Sequence, residues 1–87
     1  MASFIISYDI PSNRDYQSLI DTIKHYGTWA HITQSTWAIV TDSTASEIRN
    51  ALNAYIPEGG RLLVVQSANI AAWNNVMCSN DWLKKNI

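Results

Sequence analysis

Over the first ten residues, large apolar side chains recur at every second position, at Phe4, Ile6, Tyr8 and Ile10, while Ile5, Ser7 and Asp9 alternate with them. That two-residue period predicts a strand over Ser3 to Ile10 with the two sets on opposite faces. Pro11-Ser12-Asn13 has the chemistry of a turn and ends it. From Arg14 the period lengthens: Tyr16, Leu19, Ile20, Ile23 and Tyr26 fall at helical spacing, with Asp15 early, Lys24 and His25 late, and Gly27 placed to stop the helix.

The stretch from Thr28 to Asp42 is too long for one ordinary strand and turns polar around Thr33 to Ser35, which predicts two strands joined tightly near Gln34. In the second of them Trp37, Ile39 and Thr41 share one face, and Thr36, Ala38, Val40 and Asp42 the other. Asp42-Ser43-Thr44 then offers capping side chains before Ala45, Ile48, Ala51, Leu52 and Tyr55, the apolar face of a second helix, which Pro57-Glu58-Gly59-Gly60 ends. Arg61 to Ser67, with Leu62-Leu63-Val64-Val65 at its heart, predicts a fourth strand as a continuous apolar run. Beyond Asn69, Ala71-Ala72-Trp73 and Asp81-Trp82-Leu83-Lys84-Lys85 read as short, weakly helical segments.

The succession βαββαβ predicts one α+β domain of ferredoxin-like type spanning residues 1–87: a four-stranded antiparallel sheet, two helices on one face and a short C-terminal extension over 69–87. Helices cover only one face of such a sheet. Because both faces of the central strands carry apolar residues, the other face calls for a second subunit or for the tryptophan-bearing tail.

Composition sharpens this picture. A chain of 87 residues has room for one modest core. Charged residues make up 15% of it, against about 25% in an average soluble domain, and it holds four tryptophans and four tyrosines. Few charges and many rings suggest a surface shared with another subunit, with Tyr8, Trp37, Trp73 and Trp82 as the candidate contact residues, while Trp37 reads as well as core and Trp73 and Trp82 as anchors of the tail on the body. The net charge of -1 provides no general field to gather nucleic acid. A lone Cys78 excludes an internal disulfide and fits a reducing, cytoplasmic setting, and the opening residues resemble neither a signal peptide nor a membrane span.

Asp9 is the most informative residue. A carboxylate near the end of an apolar central strand needs a partner if buried, and magnesium or manganese, which take hard oxygen ligands, would serve. A strand-end aspartate that caps the following turn is the plainer alternative. Ser7 shares its face, and Arg14 lies just beyond the turn, so hydroxyl, carboxylate and guanidinium form a candidate catalytic set for a phosphodiester, with Asp9 as metal ligand. His25 suits a helix C-terminus better than general-base work, and His31 falls on the second strand. Zinc spacing is absent, and Gly59-Gly60 lacks the pattern of a phosphate loop. The basic residues, Arg14, Lys24, Arg49, Arg61, Lys84 and Lys85, are scattered, which argues against a nucleic-acid-binding sheet face.

At Ser7-Tyr8-Asp9-Ile10, Gly27-Thr28-Trp29, Gln34-Ser35-Thr36-Trp37, Ala71-Ala72-Trp73 and Asp81-Trp82-Leu83 the chain resembles the small ferredoxin-like proteins grouped around the CRISPR-associated Cas two subunit and the VapD toxins, in the compact bacterial and phage branch labelled SinR-like. The resemblance implies a homodimer with stacked sheets. It also implies, for some members, metal-dependent cleavage of RNA or DNA with the strand-end aspartate, here Asp9, near the dimer axis as ion ligand. Other members of the group act as dimeric scaffolds. Two functions follow as expectations: a magnesium- or manganese-dependent endoribonuclease or nucleic-acid-handling dimer, and a non-catalytic dimeric module or regulator, phage- or plasmid-borne, that binds a host protein.

Overall fold

A computed structural model describes residues 1–87. Strand β1 (Ala2–Asp9) lies inside the sheet, antiparallel to β3 (Thr36–Thr41) on one side and to β4 (Arg61–Gln66) on the other. Strand β2 (Trp29–Thr33) pairs antiparallel with the outer side of β3, giving the order β2-β3-β1-β4. Period two then divides the side chains. Phe4, Ile6 and Tyr8 of β1 and Trp37 and Ile39 of β3 point to one face, where they meet Leu19 and Ile23 of helix α1 (Gln17–Lys24) and Ile48 and Leu52 of helix α2 (Ala45–Asn53) in one buried cluster.

The helices begin and end for local reasons. In α2 Thr44 is a full N-cap: its Oγ1 accepts from Glu47 N at 3.2 Å, and Glu47 Oε1 accepts from Thr44 N at 2.8 Å. The first turn of α1 starts later than the periodicity predicts, at Gln17, because Asp15 Oδ1 accepts from Gln17 N at 3.0 Å and so holds Asp15 outside the helix. Gly27, at φ +91°, closes α1 in a left-handed conformation that a side chain would strain. At Gly60 a Cβ would stand 2.7 Å from Ile56 Cγ2 and 3.0 Å from Pro57 O, so the chain packs too closely before β4 for any other residue.

The tail contains one helix, α3 (Asn80–Asn86); Ala71-Ala72-Trp73, expected to be weakly helical, has no helix. Left-handed Asn69 and Asn75, at φ 65° and 56°, bracket that stretch and leave it too short to nucleate a helix. The tail crosses to the sheet face opposite α1 and α2. Met77 N donates to Ile32 O at 2.9 Å, Leu83 is buried, and Ala30 and Ala38, on that second face, are only 4% and 0% exposed. The chain's own tail thus covers the β2–β3 half of the face for which a twin subunit or the tail was expected. Apart from the buried Ser3 at its end, the β1–β4 half stays open, with Leu63 58% and Val65 45% exposed. The fourth strand, expected as a fully apolar run, therefore buries only its Leu62 and Val64 side, and that only partly. No helix is long and apolar enough to cross a membrane.

Replacing Thr44 by Ala removes one half of the reciprocal cap and is expected to cost about 1 kcal/mol of stability, read from urea unfolding; an unchanged midpoint would show that α2 does not depend on its cap.

Candidate functional site

Alternation along β1 sends Ser7 and Asp9 to the face away from α1 and α2, and the register sets Asp9 opposite Arg61 and Ser7 opposite Leu63. Arg61 Nη1 donates to Asp9 Oδ2 at 2.9 Å. Ser7, Asp9 and Arg61 line one shallow hollow of about 160 Å³ together with Leu62 and Leu63. The Asp9 side chain is 69% exposed, so water solvates it and no burial penalty calls for a cation. An ion pair this open contributes at most about 1 kcal/mol.

Two expectations are corrected here. Arg14 does not join Ser7 and Asp9: its N–H donates to Pro11 O at 3.0 Å to close the turn, and its side chain borders a separate hollow beside Asp15, Tyr16 and Gln17. The guanidinium at Asp9 comes instead from Arg61 on β4. Nor does the Asp9 carboxylate cap the turn, since its hydrogen bond goes to Arg61. The signal for Arg61 was present in its place as the first residue after Gly59-Gly60, but it speaks only once the β1–β4 register is known. No three His, Cys, Asp or Glu side chains gather anywhere in the chain. Arg61 bonds only Oδ2, so a hard cation at Asp9 would meet the free Oδ1 and would need most of its remaining ligands from water or a second copy.

Tyr8, expected as a contact residue, is core, and of the two readings of Trp37 the core one holds. Trp37 Nε1 donates to Tyr8 Oη at 3.1 Å, and Tyr8 Oη donates to Gln34 O at 3.5 Å. His31 reaches the same carbonyl through Nε2 at 3.1 Å, which requires the proton on that nitrogen. The His31 ring stacks on Trp37 at 4.0 Å between centroids and 9° between planes, and Lys24 Nζ lies 5.1 Å from the Trp29 ring. These groups lock the β2–β3 turn onto the helix-covered face, so Tyr8 and Trp37 do not look outward to a partner. Burial pushes the Tyr8 phenol above its ordinary 10.0, the Trp37 hydrogen bond opposes that shift, and Tyr16 adds to it.

Trp73 and Trp82 belong to the tail. Trp73 Nε1 donates to Asn80 Oδ1 at 3.1 Å, bracing the loop against α3, whose N-terminus is capped by Ser79 Oγ through the amides of Asp81 and Trp82. Trp82 is half-buried and shares a hollow of about 230 Å³ with Trp29, Ala30 and Cys78, so it anchors the tail on β2. A hollow of about 450 Å³ lies between the helices and is lined by Asp21, Thr22, His25, Tyr26 and Tyr55, none of them residues singled out for chemistry. There burial, then the Glu47 charge, raise the Tyr26 phenol above 10.0. Compared with known proteins, the chain matches no protein-family model and no curated relative.

Tyr8→Phe leaves the buried Trp37 N–H without its acceptor and should cost about 1–3 kcal/mol in a denaturation experiment. Because Tyr8 and Tyr26 hold their protons more tightly folded than unfolded, their contribution is complete below pH 10.0 and is lost as the pH climbs through the higher folded values. Unfolding curves on either side of pH 10.0 should show that fall, and it should flatten in a Tyr8→Phe/Tyr26→Phe protein.

Proposed function

We propose that this chain is a ferredoxin-like, non-catalytic homodimeric interaction module of the cytoplasm, akin to the scaffold members of the Cas two and VapD group. The ferredoxin-like reading is supported by the element order, the strand order β2-β3-β1-β4, antiparallel pairing throughout and two helices packed into one core. One observation carries the functional reading. Leu63 and Val65 stand open to water, with half-buried Ile5 beside them, against a β4 edge that no strand occupies. A small domain that leaves this apolar strip of its sheet bare beside a free edge is built to join another chain. The near-neutral charge and scattered cations favour a protein over nucleic acid as the further partner of the dimer.

Sedimentation at tens of micromolar is expected to show a dimer; a well-folded single copy with the strip in water would end this reading.

A second reading, a metal-dependent endoribonuclease, is favoured by the gathering of Ser7, Asp9 and Arg61 around one hollow. Magnesium or manganese held by Asp9 would polarise a phosphodiester, while Ser7 and Arg61 would hold its oxygens. Under this reading Asp9→Ala lowers magnesium-dependent RNA cleavage by roughly a hundredfold or more. Equal cleavage by a folded, dimeric variant, or none by the wild type, removes it.

A further inference from the structure

The backbone of β4 specifies which of its groups are free. Ser67 N donates to Ser3 O at 2.9 Å, in line with a register that pairs Phe4 with Gln66. In an antiparallel ladder successive residues turn their N–H and C=O to opposite sides. Arg61, Leu63, Val65 and Ser67 therefore face β1, and Leu62, Val64 and Gln66 direct both groups outward from the sheet. The same alternation holds across β1, where Tyr8 N turns the other way, to Ser35 O at 3.1 Å. Nothing along the free edge discourages pairing: β4 has no proline, no lysine and no charge between Arg61 and Gln66.

We infer that a second copy of this chain pairs antiparallel with β4 across this edge, with Val64 opposite the partner's Val64 on the two-fold axis. This rests on the homodimer reading above but replaces the stacked sheets implied by the resemblance with two sheets joined side by side. A two-fold axis perpendicular to the sheet keeps each face on its own side, so paired residues share parity, and a centre at Val64 sets Leu62 opposite the partner's Gln66. The outward groups of Leu62, Val64 and Gln66 then make about six main-chain hydrogen bonds with their equivalents.

The side chains select a copy of this same chain as the occupant. In this register Leu63 stands opposite the partner's Val65 and Val65 opposite the partner's Leu63. Each exposed pair becomes half of one continuous apolar stripe on the face the tail leaves uncovered. Arg61 stands opposite the partner's Ser67, so no like charges meet, and Arg61 keeps its bond to Asp9. The contact uses the same edge of both copies, so it closes at two instead of running on into a fibre; at the far edge of the sheet Ile32 O accepts from Met77 N in the tail.

The arrangement also decides the fate of Asp9. The two Arg61–Asp9 pairs lie at opposite ends of the joined strands, about 20 Å apart along them, so two Asp9 carboxylates cannot share one ion. An edge-paired dimer and a dimer with an ion on its axis are mutually exclusive.

Cysteine cross-linking in a Cys78→Ser background tests the register. Leu63→Cys/Val65→Cys places thiols directly across the new boundary and should link two chains under mild oxidation. Either substitution alone leaves like positions about 8 Å apart by Cα and should not link. Leu63→Lys, at an exposed site, should weaken dimerisation roughly tenfold or more without unfolding the chain. Linking by the double variant alone, together with that weakening, supports the register. A dimer in sedimentation whose double variant stays unlinked overturns it while leaving the homodimer standing. A single copy in sedimentation overturns both.

Discussion

Hydrogen bonding of β1 on both of its sides is the constraint from which the rest of the molecule follows. Because Ala2–Asp9 is bonded to β3 and β4 at once, its alternation cannot slip without turning Phe4, Ile6 and Tyr8 out of the core. The same alternation decides where chemistry can sit. Tyr8 goes under the helices to meet Trp37, and Asp9, one residue on, goes to water to meet Arg61. Adjacent residues of one short segment thereby acquire opposite roles, one in holding the β2–β3 turn and the other at the surface.

What could be read from the sequence was whatever depends on neighbours along the chain. The period of β1, the tight connection at Gln34, the cap at Thr44 and the stop at Gly27 each declare themselves within a few residues, and each stands where expected. What escaped depends on distant pairing. Arg61 meets Asp9 only through the register of strands separated by most of the fold, and proximity in sequence pointed to Arg14 instead. The Leu62 to Val65 run lacks polar punctuation, so its apolar character could not reveal that Leu63 and Val65 face an open half of the sheet. Trp37 looked equally suited to a core and to a contact surface, and only the pairing of β3 with β1 turns it inward.

The uneven cover of the second sheet face is the feature with most bearing on function. Small side chains at Ala30 and Ala38 let the tail approach closely over β2 and β3, where Leu83 is buried. Lys85 and Asn86 at the end of the tail share a hollow with Ser3, Gln66 and Ser67, but farther along β1 and β4 the larger Ile5, Leu63 and Val65 are left uncovered. Charge adds little, because Arg61 and Asp9 satisfy each other at the strand end. A surface of this kind gains more from apolar and main-chain contacts than from long-range attraction, so its association should respond little to salt.

The route of the tail also bears on how the chain comes to be made. Ribosomes build proteins from the N-terminus, so β2 and β3 emerge and pair well before Met77 and Leu83 exist to cover them. During that interval the nascent sheet is bare along both margins, and the eventual protection of one of them waits until Met77 to Leu83 have been made. Slow translation through residues 67–87 would lengthen the time in which neighbouring nascent chains on one messenger could join by the wrong margin.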